Sequence, residues 1–512
     1  MLRYLLATAA LMAATFASAV DFDVHDFTLS DFRNADRVTD SCSAGQDVFW
    51  CDLQDATLTR IPTKGVDLFF GPAGEVVGAF AKHQKGQVLQ NYNIDQRENL
   101  IPPQAVIAGA TLLIDGERHA PEAIDATWRT LNETEIEGVF AYRAGPYEVR
   151  RTVRVSNINH TLLWDVTVTR VDAADEANDE VVVQLAFPGI GNTEDPVVKI
   201  GRGVGESGTF SASPLPQAVA DPSYASLQNA DNQRAFAMIL RPEAPGHAAI
   251  PIEDDRLALQ RTLGGREGDE VRLQIGSYLG PNELVRYYQE GYHELPGLFR
   301  PNILGRISLG VLWVLETIHE YVPSWGLSII VLTLMFRALI WPLISTQTKS
   351  MFGMQELQPK IQALQKKYKD DRETLTQETM KLYRESGVNP AGGCLPILLQ
   401  MPLFIILWRV FVNFEFDEGF LWVPDLGQAD PFFILPVLYV AVMFGMSYFA
   451  ARGNPQMLRQ QILINVVFAF ILFTFPAGVI LYFVFSMGIQ VLQYWLISRA
   501  NDKKKALAGA KG

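Results

Sequence analysis

The sequence predicts a two-part membrane protein: an exported all-β sandwich followed by an α-helical bundle of five core transmembrane helices with a cytoplasmic helical hairpin. Three observations predict it. From about residue 28 to residue 290, stretches alternate apolar and polar side chains at the period of a strand, within an exported domain expected over 28–295. Beyond residue 323, long apolar runs alternate with short charged loops. The charges of those loops all fit one orientation across a bilayer. At 512 residues the chain is also too long for one compact domain.

The chain opens "MLRYLLATAALMAATFASAV". Arg3 gives a positive start, Tyr4 to Phe16 is an apolar segment too short for an ordinary span, and Ala17-Ser18-Ala19 is a small-x-small cleavage site. A cleaved signal peptide over 1–19 is the expectation, an uncleaved anchor span the alternative. Either one exports the residues beyond it. Cys42 and Cys51 then lie close together in an oxidising compartment, where a disulfide between them is expected and two buried thiols are the alternative. Cys394, at the mouth of an apolar run, is expected to pack.

"YEVRRTVRVS", "TLLWDVTVTRV" and "EVVVQLAFPGI" mix β-branched and aromatic residues with period-two alternation. "GPAGE", "EAPGHAAIP" and "LGGREGDE" supply turn chemistry between strands. The region is long enough for a sandwich with its own core. "PNELVRYYQEGYHEL" reads as a helix that closes it. Residues 301–322 read as an amphipathic helix in the membrane interface, with Ile307, Val311, Leu315 and Ile318 on one face. A buried helix of the soluble part is the alternative.

Five spans are expected at about 324–344, 395–412, 432–450, 461–475 and 479–497. The loop after the first carries Lys349, Lys360, Lys366, Lys367, Lys369, Arg372, Lys381 and Arg384. The loop after the second carries Glu415, Asp417, Glu418, Asp425 and Asp430, with no Lys or Arg. Arg452 and Arg459 follow the third span, and Arg499, Lys503, Lys504 and Lys505 follow the fifth. Basic loops stay in the cytoplasm. The spans therefore start outside and end inside, with 501–512 a basic cytoplasmic tail. An exported amino-terminal part demands the same start. Residues 347–387 read as the hairpin, two helices broken at Asp370-Asp371, where Asp can cap the second. Ile361, Leu364 and Tyr368 can face Leu375, Leu382 and Tyr383 across it.

The net charge of −13 argues against nucleic acid as the main partner. There is no phosphate-binding glycine loop, HExxH, paired CxxC or GxSxG, and the seven histidines are scattered. The chain is not read as an enzyme, and no cofactor or metal is expected. The unusual residue is Arg337, in "WGLSIIVLTLMFRALIWPLIS". It lies about 18 Å along a helix from Trp325 and about 10 Å from Ile344. A side chain that snorkels to the inner headgroups fits this position. So does one facing a wet groove between helices, since exposing Arg to lipid costs roughly 2.5 kcal/mol or more. The other spans favour the groove. Gln400, Asn465, Thr474, Ser486, Gln490 and Gln493 are polar and lie within or at the inner ends of apolar runs, and Thr333 lies one turn before Arg337. Polar glue between helices is the competing account of Gln400 and Asn465. No acidic residue in the spans can neutralise Arg337. An unpaired cation in a groove is a site for an anion.

"WGLSIIVLTLMFRALIWPL", "LQPKIQALQKKY", "NPAGGCLPILLQMPLF", "DPFFILPVLY" and "FPAGVILYFVFS", in this order, resemble the YidC membrane protein insertases over 323–498. The exported β region resembles, more loosely, the periplasmic domain of the Gram-negative members. The resemblance implies insertion and folding of nascent membrane proteins, alone or beside the Sec translocon, in a bacterial inner membrane. It implies a groove open to cytoplasm and lipid but closed outside, with Arg337 at the family's arginine position and Thr333 on the groove. It also implies a substrate-delivery role for the hairpin. The basic tail is short beside the ribosome-binding tails of mitochondrial relatives, so only a weak ribosome contact is expected. Gram-negative members usually keep an uncleaved first span, which departs from the cleavable segment here. From the residues alone, an anion channel or transporter using Arg337, and a membrane-anchored sugar-binding protein, are the rival readings.

Overall fold

A computed structural model of the chain describes residues 25–27, 56–81, 100–101, 108–172, 180–189, 196–205, 208–212, 218–229, 236–252, 256–299, 301–369, 371–387, 395–450, 458–459, 462–463, 465–466, 469 and 472–509. Residues 1–19, Cys42, Cys51, Cys394 and Asp370 lie outside the described residues, as do positions 461, 464, 467, 468, 470 and 471 of the span expected at 461–475. The chain divides into a β unit, Ser18–Asn302, and a helical unit from Ile303 onward.

In the β unit the largest sheet has nine strands. Their order is Thr209–Ala212, Pro196–Arg202, Tyr224–Asn229, Phe236–Pro242, Glu270–Pro281, Thr161–Arg170, Tyr147–Ser156, Glu135–Ala144 and Pro121–Thr130, each antiparallel to its neighbour. Sheets of five strands and four strands accompany it. Alternation decides the faces. In Tyr147–Ser156 the side chains of Tyr147, Val149, Arg151, Val153 and Val155 point inward and are buried, while Glu148, Arg150 and Arg154 point out. One apolar core serves all three sheets: Phe69 and Phe70 from the four-stranded, Leu185 and Leu259 from the five-stranded, and Val153, Trp164, Val166 and Leu273 from the nine-stranded. The Trp164 indole N–H donates to Ser277 Oγ at 2.7 Å, so the largest core side chain leaves no buried donor unpaired.

A second cluster closes one end of this unit. Helix α1, Leu284–Gln289, packs Tyr287 against Tyr278, and Tyr224 and Tyr292 complete the group. The Tyr224 hydroxyl donates to Pro296 O at 2.6 Å. Buried Glu290 accepts from the His160 backbone N–H at 2.9 Å and from Thr161 Oγ1 at 2.5 Å. The residues after α1 are thus tied back onto the nine-stranded sheet.

The helical unit begins with α2, Ile303–Tyr321. Ser308, Val311, Leu312 and Leu315 form its buried stripe, packed on α3, Trp325–Lys367, and α5, Leu395–Asn413. Ile307, expected on the same face as Val311 and Leu315, is exposed with Ile303, Leu304 and Trp313. Ser308 takes the buried place because its hydroxyl is satisfied by Leu304 O at 2.9 Å.

Helix α3 differs from expectation in length. The span does not end near Ile344 and give way to a separate hairpin helix. It continues as one helix of 43 residues, about 65 Å, through Pro342 and Pro359. Each proline removes one ladder bond, and the hydroxyls of Thr346 and Thr348 bond back to Pro342 O and Ile344 O. The hairpin's second arm is α4, Arg372–Glu385. Asp371 caps it, accepting from the Thr374 N–H at 3.0 Å. Leu375, Leu382 and Tyr383 are half-buried and face the arm of α3 that carries buried Ile361. Helices α5, α6 (Ile434–Ala450) and α7 (Ala477–Gly509) complete the unit. Among the described residues two helical stretches are long and apolar enough to cross a membrane, Trp325–Thr346 and Ala477–Ala500, while Gln400–Asn413 and Ile434–Ser447 are shorter apolar stretches. Helix α7 runs on into the expected tail, whose Lys, Ala and Leu residues favour helix.

Candidate functional site

Leu, Ile, Val and Phe fill α3 on both sides of Arg337, so the helix carries this residue into apolar surroundings whatever its charge. There it is 6% exposed. Its Nε donates to Ser486 Oγ of α7 at 2.7 Å, and its Nη2 donates to the same oxygen. No carboxylate among the described residues pairs with it. Buried Tyr439 of α6 and Tyr482 of α7 lie close enough to interact with the guanidinium. The Gln400 side-chain amide of α5 donates to the Tyr482 hydroxyl at 3.1 Å. Four helices thus place hydroxyl and amide groups round one buried cation.

Of the residues singled out in the sequence, the structure brings Arg337 and Ser486 together directly, and Gln400 to them through Tyr482. Thr333 is fully buried one turn before Arg337, but its hydroxyl is spent within its own helix, on Ile329 O at 2.7 Å. Asn465 donates to Ser447 Oγ at 2.8 Å, so it ties its segment to α6. Gln490 is half-buried one turn beyond Ser486. Gln493 is buried nearer the hairpin, where its amide donates to Trp341 O at 3.1 Å and Ser345 Oγ at 2.8 Å. Sequence reasoning misses Tyr482 and Tyr439. Tyrosine in an apolar run is ordinary packing material, and only the helical offset of Tyr482 from Ser486 points to it.

At the end of the bundle opposite the hairpin, the loop 414–433 caps three helices. Glu418 accepts from the Trp325 N–H at the start of α3. Asp430 accepts from the Leu435 N–H in the first turn of α6 and from the Phe432 N–H just before that helix. Leu426 O and Gln428 O accept from the Gly478 and Ala477 N–H groups at the start of α7. The first N–H groups of a helix have no partner within it. One loop supplies partners to three such ends. Trp325 is the hub: its indole N–H donates to Asp417 Oδ1 at 2.5 Å, and its ring stacks on His319 at 3.7 Å between centroids and meets Phe414 and Phe416 edge-on.

Among the described residues no group of three or more His, Cys, Asp or Glu side chains is placed to hold a metal ion. The arrangement is a membrane-type helix bundle with a buried, hydroxyl-bonded cation and a large β unit before it.

Residues 317–505 match the family described as 60Kd inner membrane protein. The chain is 35% identical over 418 residues to a membrane protein insertase YidC of Deinococcus radiodurans, covering 79% of this chain and 92% of that one. It is 40% identical over 203 residues to the Haemophilus ducreyi protein of the same name, covering 39% of this chain and 38% of the relative. The Neisseria meningitidis protein is 38% identical over 198 residues, covering 38% and 36%. Among solved structures, a galactose mutarotase related enzyme from Lactobacillus acidophilus is 12% identical and covers 43% of this chain and 97% of its own, with a TM-score of 0.26, a likeness too slight to carry any argument. The family match and these relatives, with the apolar helices of the bundle, define a bacterial inner-membrane protein. The chain belongs to the YidC family of membrane protein insertases. Its function is to insert membrane proteins, and the family is not one of enzymes.

Proposed function

We propose that insertion runs through a hydrophilic groove at Arg337, which takes the polar end of a nascent membrane protein partway across the bilayer. The observation that carries this reading is the buried guanidinium with hydroxyl partners and, among the described residues, no carboxylate. A chain segment that enters beside it crosses a shorter low-dielectric path, and its carboxylates gain a charge-assisted partner. The apolar segment then moves into lipid, gaining a few tenths of a kcal/mol for each Leu or Ile near the centre. For an acidic end the membrane potential adds about 2.3 kcal/mol per charge per 100 mV.

The same reading has five spans, the β unit in the periplasm, and the hairpin and carboxy terminus in the cytoplasm. Loop charge supports this orientation. The protein works alone or beside the Sec translocon, residues 1–19 are removed, and Cys42 pairs with Cys51. The groove is tested by photocrosslinking from Gln400 to stalled nascent membrane proteins. Adducts are expected from Gln400 and not from lipid-facing Leu438. Equal yields from both positions, or none from Gln400, would overturn the groove.

A further inference from the structure

Arg337 meets Ser486 in a particular way. A guanidinium presents one of its edges as Nε–H and an Nη–H side by side, and a carboxylate answers that edge with two oxygens, one per donor. Here the edge is occupied by a single oxygen, Ser486 Oγ, which accepts from both Nε and Nη2. Sharing one neutral acceptor between two charged donors is weaker than giving each donor an anionic oxygen. Ser486 is 1% exposed, so water does not readily take its place.

The residue does not act in isolation. Tyr482, one turn earlier on α7, lies against both Ser486 and Arg337 and accepts from Gln400 of α5. The guanidinium edge is therefore held ready by neutral groups from two other helices. Among the described residues no anion competes for it.

We propose that Ser486 is a specificity-determining residue of the insertase: it occupies the carboxylate-binding edge of Arg337 between substrates, and a translocating Asp or Glu side chain displaces it. This deepens the groove reading and rests on it. Selectivity is a difference between two affinities. The affinity of the edge for a substrate carboxylate is measured against its affinity for Ser486. Replacing the hydroxyl by a stronger acceptor lowers the preference for acidic segments, and removing it raises the preference.

The test is reconstitution of the full chain in proteoliposomes with a pair of single-span substrates that differ only in an acidic or neutral translocated end. The readout is the ratio of their insertion rates, which a merely structural role of Ser486 would leave unchanged even if both rates fell. Ser486→Asp places a carboxylate on the edge, and the ratio is expected to fall to about one. Ser486→Thr keeps the hydroxyl and is expected to keep the parent ratio. Ser486→Ala empties the edge and is expected to raise the ratio above the parent. Should Ser486→Asp not fold, Ser486→Ala decides alone, and a ratio at or below the parent's overturns the proposal. A parent that inserts both substrates equally refutes the groove reading and this proposal with it. A parent that prefers the acidic substrate, with Ser486→Asp preferring it as strongly, refutes this proposal alone.

Discussion

Glu418 and Trp325 are 93 residues apart, yet the Glu418 carboxylate accepts a 2.8 Å hydrogen bond from the Trp325 backbone N–H and so caps helix α3. Ser324 precedes the helix and could have capped it, but its side chain makes no cap bond. A distant loop does the work of a local N-cap. Closing the helix end and anchoring the loop are then one event.

This latch gives the first expected outcome. Trp325→Phe keeps the ring but removes the indole N–H, leaving Asp417 without that donor. The loss is expected to be about 1–3 kcal/mol of stability. Gly326→Ala strikes the same place, because a Cβ there would stand 2.0 Å from the Phe420 ring. Thermal unfolding in detergent checks both. Pairing Gly326→Ala with Phe420→Ala should recover most of the loss, and no recovery would show that the close approach is not the cause.

The hairpin gives the second. Asp371 bonds both the N–H and the hydroxyl of Thr374, which hold its carboxyl below the usual range. Helix α4 has no fully buried residue, so its end depends on this cap more than a core helix would. Asp371→Ala is expected to raise amide hydrogen exchange over residues 372–376, whereas Asp371→Asn, which keeps an acceptor, restores most of the protection. Unchanged exchange in Asp371→Ala would mean that packing on α3 fixes the arm.

How much of the molecule is legible in the sequence depends on the range of each interaction. Alternation in "YEVRRTVRVS" is local and sets the face of each side chain of that strand, Arg151 included, which it turns into the core. There its guanidinium lies over Trp164 and reaches the Tyr142 hydroxyl. Arg337 is legible because one charge in a long apolar run contradicts its neighbours. Asp371 is legible because a cap acts within three residues. Three things are not local. The continuity of α3 through Pro342 depends on packing that outweighs a breaker. The bond from Gln400 to Tyr482 joins two helices 82 residues apart. The triple cap by loop 414–433 joins carbonyls and carboxylates to helix ends whose approach no spacing announces.

Acid should loosen the β unit in a defined direction. Burial pushes the Glu137 carboxyl up, but Arg154 and Arg129 beside it more than offset this and hold it below the usual range. Arg272 and Gln274 do the same for Asp165 against its own partial burial. A carboxylate whose folded value is lowered stabilises the fold fully above its unfolded value, about 4. That stabilisation is lost as pH falls through the lowered folded value. The melting temperature of the full chain in detergent is expected to fall between about pH 5 and pH 2, less steeply in Glu137→Gln. Equal slopes in parent and variant would remove Glu137 from the account.

Arg337 itself gives the last expectation. If it acts as a groove charge, its position and sign matter more than its shape. Arg337→Lys keeps a cation on a flexible stem and is expected to retain much of the insertion activity, though it loses the two-donor edge on Ser486. Arg337→Ala is expected to slow insertion of substrates with acidic translocated ends about tenfold, the equivalent of one charge-assisted hydrogen bond. Neutral-ended substrates are expected to lose less. Arg337→Glu repels acidic ends and is expected to be the slowest variant on them. Stability is not expected to follow that order, because removing a lone charge from apolar surroundings tends to help folding, and Ser486, Tyr482 and Gln400 can still bond among themselves in the Ala variant. The measurement is insertion of a small single-span substrate into proteoliposomes, with the charge of its translocated end varied from acidic to neutral and folding checked by thermal unfolding. Should all three variants stay folded and insert every substrate like the parent, Arg337 is a structural anchor for α7 and the anionic groups of substrates are recognised elsewhere. The Glu variant and the trend with substrate charge are the decisive readings, since the hydroxyls round the site partly replace a missing cation for neutral chains but not for acidic ones.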